Sequence, residues 1–218
     1  MKKGIIFDVD GTLWDACQVV ADAWNEYLEK FEPDIAIRLT EQDLRSVMGL
    51  TMSDIGDRLF GSIEQPRRHQ VTKGCFDYEV EYMKNRGGIL YPDVIETFEK
   101  LSVKCGGTYH LYIVSNCQSG YIEDFIGVTG TQKLIEDLEC FGNTGLSKGE
   151  NIRLLTERNH LDQAVYLGDT EGDYRSTCEA GLLFLHARYG FGKVDPSVPY
   201  IDRMEELPEA AEKLFTRK

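Results

Sequence analysis

Four short apolar runs punctuate this chain: Gly4-Ile5-Ile6-Phe7, Leu111-Tyr112-Ile113-Val114, Ala164-Val165-Tyr166-Leu167 and Leu182-Leu183-Phe184-Leu185. Each has the length of a strand, and none alternates apolar with polar residues. Strands of that kind are covered on both faces, as in a parallel sheet held between two layers of helices. A fifth, weaker run spans 138–141. Helical spacing fills the intervals at 93–104, where Val94, Ile95, Phe98 and Leu101 share a face, and at 119–126, 148–159 and 173–180, the last closed by Gly181. The pattern predicts an α/β fold with a mostly parallel sheet.

Residues 15–86 break the alternation. They hold no strand pattern and carry several amphipathic helices in succession. Asp15 and Gln18 have the spacing of a capping box, after which Val20, Ala23, Trp24, Tyr27, Leu28 and Phe31 recur at helical intervals up to Pro33. That stripe reads as core. A second helix starts at Thr40 and carries Leu44, Val47 and Met48 as far as Gly49; a third covers 53–60; Pro66 suits the first turn of a fourth ending near Met83. Arg86-Gly87-Gly88 returns the chain to the sheet. The expected division is an α/β core made of 1–14 and 87–218, with 15–86 inserted as a helical cap.

Charge narrows the partners. With 37 acidic against 24 basic residues the formal net charge is −13, which opposes attraction to nucleic acid or to an anionic membrane. No apolar run approaches the roughly 20 residues that span a bilayer, and the Met1-Lys2-Lys3-Gly4 start lacks the apolar segment of a signal peptide. The expectation is a cytoplasmic protein, monomer or homodimer, that binds neither nucleic acid nor membrane. The six cysteines, at 17, 75, 105, 117, 140 and 178, form no Cys-x-x-Cys pair and no zinc spacing, and read as free thiols. Cys117 has no neighbouring His to activate it as a nucleophile.

The chemistry is concentrated where strands end. The first strand runs into Asp8-Val9-Asp10-Gly11-Thr12, and strand alternation puts Asp8 and Asp10 on one side with Val9 on the other. Two unit charges 4 Å apart at an effective dielectric of 20 repel by about 4 kcal/mol, so the pair needs a cation, a shared proton or both. A calcium loop is disfavoured, because position 17 is Cys where such a loop would place Glu. Gly11 permits a tight exit and Thr12 offers a hydroxyl to hold one acid. The second strand ends in Ser115-Asn116, a hydroxyl and an amide suited to phosphate oxygens. Ser147-Lys148-Gly149-Glu150 matches a helix start and puts Lys148 in the first turn, where the helix dipole disfavours a cation, so an anionic partner is implied. Gly168-Asp169-Thr170-Glu171-Gly172-Asp173 closes another strand with two carboxylates four residues apart, hard oxygen ligands of the type that Mg²⁺ takes. In an open α/β sheet all four features meet at the carboxyl ends of the strands.

DVDGT at 8–12, Ser115, Lys148 and GDTEGD at 168–173, in that order, resemble the haloacid dehalogenase superfamily of phosphatases. The resemblance is to members with a helical cap inserted after the first motif, such as phosphoglycolate phosphatases and β-phosphoglucomutases, and it covers nearly the whole chain. It implies a Rossmann-like core, Asp8 as nucleophile and Asp10 as acid/base. It further implies Mg²⁺ held by Asp8, the Asp10 backbone carbonyl and Asp169, with Asp173 nearby, while Ser115, Asn116, Thr12 and Lys148 serve the phosphoryl group. Arg45 resembles a residue of the cap loop that reaches the substrate, which would be a small phosphorylated metabolite. Asp10 favours phosphoryl transfer over carbon–halogen cleavage. Two alternatives use the same residues: a phosphomutase, and a signalling module that accepts a phosphoryl group. The second needs neither the helical insert nor the late acidic loop. The Arg67-Arg68-His69 cluster reads as a solvated helix start.

Overall fold

The computed structural model describes residues 1–84 and 86–216. In chain order, β1 (Lys3–Phe7) and β2 (Trp14–Asp15) lead into four helices, α1 (Cys17–Phe31), α2 (Glu41–Arg45), α3 (Met52–Leu59) and α4 (Arg67–Met83). The chain returns through β3 (Ile89–Leu90) to α5 (Val94–Leu101), β4 (His110–Ser115), α6 (Tyr121–Thr129), β5 (Ile135–Cys140) and the short α7 (Phe141–Thr144). It closes with α8 (Lys148–Arg158), β6 (Gln163–Gly168), α9 (Glu171–Ala180), β7 (Leu183–Ala187), β8 (Tyr200–Ile201) and α10 (Leu207–Thr216).

Six strands form one sheet in the order β5-β4-β1-β6-β7-β8, and every neighbouring pair is parallel. Continuous apolar strands are what such a sheet requires, because alternate side chains bury into opposite layers. Ile5, Phe7, Leu111, Ile113, Val165 and Leu167 pack on one face, with Phe98 and Ile122 from the helices above them. Ile6, Tyr112, Val114 and Tyr166 pack on the other, against Ile152 and Leu155 of α8. The chain leaves β1 for β4 and β5 on one side and later fills β6, β7 and β8 on the other. The strand order therefore reverses at β1, and the crevice beyond its carboxyl end is where such sheets bind ligands.

The helical cap is strung between β2 and β3, which pair antiparallel as Trp14 with Leu90 and Asp15 with Ile89. Its interior is aromatic: Trp24 stacks on Phe60 with ring centroids 6.0 Å apart and meets Phe76 edge-on at 4.9 Å. The cap core is continuous with the core on the α5 and α6 side of the sheet.

Three local expectations need correction. The fifth strand lies at 135–140, a few residues before the run at 138–141. The second helix stops at Arg45, short of the Val47 and Met48 expected within it. Asp15 does not form a capping box with Gln18. Ala16 is the residue preceding α1, without a side-chain cap, and the Asp15 carboxylate accepts from the Cys17 N–H at 3.0 Å while Gln18 turns to Asp22.

Candidate active site

β1 delivers Asp8 to the sheet's rim almost wholly buried, at 1% exposure. Lys148 arrives from the first turn of α8, where Ser147 and Glu150 form the capping box expected of their spacing. Its Nζ donates to Asp8 Oδ1 at 2.9 Å and to Asp173 Oδ1 at 2.5 Å. Burial opposes the Lys148 charge, but the carboxylates of Asp173 and Asp8 outweigh it and hold the amine protonated well above its ordinary range. The cation that the helix dipole should repel is thus stabilised by two buried anions. Asp173 spends its other oxygen on α9, where Oδ2 accepts from the Thr170 N–H at 3.0 Å and from its hydroxyl at 2.7 Å.

Asp169 follows β6 and is fully buried. Its Oδ2 accepts from the Phe191 and Gly192 N–H groups at 2.7 and 3.2 Å, but its Oδ1 has no partner among the described residues. Carboxylate oxygens of Asp8, Asp169 and Asp173 lie within 4.8 Å of one another. One ammonium cannot balance three buried carboxylates, and the surplus shows in the proton affinity of Asp8 and Asp169. Burial, opposed by Lys148, pushes Asp8 up to about 6; burial and the charges of Asp173 and Asp8 push Asp169 well above the carboxylate range. An orphaned oxygen in an all-oxygen, net-negative pocket fits Mg²⁺, which prefers hard carboxylate ligands. Gly11 and Gly190 complete the cradle: a Cβ on either would collide with the Asp169 carboxylate, and Gly11 also has φ +83°.

Asp10 is held outside this cluster by α6 and β2. Its Oδ1 accepts from Tyr121 Oη at 2.7 Å and from Trp14 Nε1 at 3.1 Å. Burial, only partly offset by these two donors, pushes its carboxyl up to about 7. A carboxylic acid poised near neutral pH can donate a proton and later accept one.

A small cavity of about 40 Å³ lies between cap and sheet rim, with Asp8, Asp10, Ser115 and Asn116 on its floor. Glu79 of α4 projects into its wall, 3% exposed. Its Oε2 accepts from Trp24 Nε1 at 2.6 Å and its Oε1 from Gln118 Nε2 at 3.0 Å. Burial pushes Glu79 up to about 8 from an ordinary 4.5. The folded state therefore binds this proton more tightly than the unfolded chain. The associated stability is present below about pH 4.5 and is lost as pH rises to about 8, by at most about 1.4 kcal/mol per unit. Glu79→Gln, which lets Gln118 turn its amide to accept, should gain melting temperature on the wild type between pH 5 and 9. A pH-independent difference in thermal scans would show that Glu79 does not titrate in that interval.

The profile of the family described as "Haloacid dehalogenase-like hydrolase" matches residues 5–187. The chain belongs to that family. A phosphoglycolate phosphatase of Aquifex aeolicus (strain VF5) is 26% identical over 206 residues, 89% of each chain. Among solved structures, a predicted phosphoglycolate phosphatase from Haemophilus somnus 129PT superposes with TM-score 0.80 at 19% identity, over 96% of this chain and 98% of that one. β-Phosphoglucomutase from Clostridium difficile superposes with TM-score 0.73 at 14% identity over the full length of both. Identities this low carry the shared fold.

Several residues expected at this haloacid dehalogenase-like centre are engaged otherwise. Thr12 is fully buried, yet its hydroxyl meets no acid and has no partner among the described residues; its carbonyl instead accepts from Tyr189 Oη at 2.8 Å. Asn116 lines the cavity, but its Nδ2 donates across the cleft to the Gly49 carbonyl at 3.0 Å. Ser115 lies against Asp8, where its hydroxyl favours the ionised carboxylate. Arg45 is absent from the cavity wall. Its guanidinium pairs with Asp15 and Glu41, each at 2.5 Å, and covers the Phe191 ring at 4.6 Å. Arg67 pairs with Glu32 and Asp34 on the cap surface. All six cysteines are free, and burial pushes the Cys117 thiol far above its ordinary range, which suits no thiolate nucleophile. No helix among the described residues is long and apolar enough to cross a membrane.

Sequence reasoning passed over Tyr121, Trp14, Glu79 and the Phe191-Gly192 N–H groups. For Glu79 the signal was present: Val71, Thr72, Cys75, Phe76 and Met83 are the other buried positions of α4, and residue 79 falls on the same helical stripe.

Proposed function

We propose that this hydrolase is a Mg²⁺-dependent phosphatase that cleaves a small phosphate monoester through an aspartyl-phosphate on Asp8. The observation that carries the reading is the surplus of buried carboxylate around a single lysine at the sheet's switch point, with one oxygen of Asp169 left unpartnered. The phosphatase named among the relatives is consistent with it.

Asp8, held in place by Lys148 and Ser115, attacks phosphorus in line, and the bond to the leaving oxygen breaks as the acyl phosphate forms. Asp10, protonated in the fraction set by its raised pKa, gives its proton to that leaving oxygen. Now a carboxylate, Asp10 takes a proton from the incoming water, whose oxygen bonds to phosphorus as the P–O bond to Asp8 breaks, releasing phosphate and restoring the Asp8 carboxylate. Tyr121 and Trp14 fix the rotamer of Asp10 through both steps. Lys148 remains protonated and faces the negative charge that builds on the transferring group. Asp8, Asp169 and Asp173 would hold Mg²⁺, which supplies charge neutralisation at the phosphoryl oxygens. The cap covers the site and limits water.

Phosphate release from a panel of phosphomonoesters, with Mg²⁺ and with EDTA, tests the reading. Release that requires Mg²⁺ is expected, and isomerised product without free phosphate would assign a mutase instead. Asp169→Ala should raise the Mg²⁺ concentration for half-maximal activity by about tenfold or more. An unchanged Mg²⁺ titration would remove Asp169 from the metal site.

A further inference from the structure

The wall of the cavity carries a selectivity that the phosphatase names of the relatives do not suggest. Above the catalytic floor it is built from Val20, Trp24, Leu44, Val47, Leu50 and Phe76. No Lys, Arg or His of the described residues lines it; its carboxyl groups are Asp8, Asp10 and Glu79. The polar N–H and O–H groups along it are already committed. Trp24 Nε1 and Gln118 Nε2 donate to Glu79, Tyr121 Oη to Asp10, and Asn116 Nδ2 to Gly49. Arg45, a cation carried by the cap, is held by two carboxylates outside the wall.

We propose that this cavity selects phosphate monoesters whose alcohol portion is uncharged and carbon-rich, and rejects those that carry a second anion such as a carboxylate. The inference rests on the phosphatase reading for its turnover but not for its binding. An anionic tail entering this wall loses its hydration and meets no counter-charge. An alkyl or aryl tail loses nothing and buries apolar surface against Trp24 and Phe76. Glycolate phosphate, with its carboxylate two bonds from the ester oxygen, belongs to the rejected class.

Two measurements separate the inference from the reading beneath it. The first compares kcat/KM for propyl phosphate, phenyl phosphate and 2-phosphoglycolate at one Mg²⁺ concentration and pH; the uncharged esters should exceed the carboxylate by about a hundredfold or more. The second compares binding of propylphosphonate and 3-phosphonopropionate, neither of which can be hydrolysed. The alkyl compound should bind at least about tenfold more tightly. Met48→Lys places an ammonium on the wall through an unbranched, partly exposed side chain, and should narrow both ratios by favouring the carboxylate member of each pair. If no ester is hydrolysed but the phosphonates still discriminate, the phosphatase reading fails and the selectivity stands. Equal or tighter binding of 3-phosphonopropionate, no binding of either phosphonate, or phosphoglycolate as the better substrate overturns the inference. Loss of a phosphoglycolate preference in Arg45→Met would then assign the missing cation to Arg45.

Discussion

Asp8→Asn should lower phosphate release by about 10⁴-fold or more while the protein remains folded. The amide has the shape of the carboxylate but lacks the lone-pair charge needed to attack phosphorus. Its folding cost is small, because Asp8 stands in an environment that already disfavours its charge: burial pushes it up to about 6 despite the Lys148 contact. Lys148 keeps its 2.5 Å partner in Asp173. Without Mg²⁺, the variant should therefore melt at or above the wild-type temperature at pH 8. Phosphate assays beside thermal scans check both halves. A variant that retains a tenth of the activity would move the nucleophile to another atom.

Lys148→Ala should affect stability and turnover together. Removing the amine leaves Asp8 and Asp173, at 1% exposure each, without the cation they share. Breaking a buried ion pair on one side costs about 3–5 kcal/mol. The deficit should shrink as pH falls, since a protonated carboxyl needs no counter-charge. It should shrink again on adding Mg²⁺, whose binding to the folded state gives a larger melting shift in the variant than in the wild type. Activity at saturating Mg²⁺ should still fall by about 10²- to 10³-fold, the loss typical of one charge-stabilising donor. Denaturant titrations with and without Mg²⁺ give the first quantity and steady-state assays the second. Wild-type stability in EDTA would mean that the three carboxylates are balanced some other way.

Much of this centre was legible because its residues sit at strand ends or helix starts. Once the apolar runs fix a parallel sheet, Asp8, Ser115 and Asp169 have little choice of position, and Ser147 with Glu150 fixes the turn that carries Lys148. Even the electrostatic misfit of a lysine in a first helical turn proved informative, since two carboxylates face it. Side chains whose direction depends on tertiary packing were not legible. Asp15 had the spacing of a helix cap but is drawn to Arg45. Arg45 was read toward the substrate, yet a guanidinium between two carboxylates and an aromatic face gains more where it is. Thr12 was expected to hold an acid, but Gly11 turns the backbone through a left-handed conformation and the hydroxyl ends away from every described partner. Phe191 and Gly192 act through backbone N–H groups, which leave no mark in a side-chain pattern.

The paired strands Trp14–Asp15 and Ile89–Leu90 have a bearing on how such a protein can diversify. Entry and exit of some seventy residues pass through neighbouring, hydrogen-bonded segments, so the sheet senses only that short ladder and not the length of what hangs from it. Any folded cassette that begins and ends side by side could be grafted at the same two stubs without disturbing the strands that carry Asp8 and Asp169. New substrate preferences could then arise by exchange of a lid, leaving the reactive chemistry untouched.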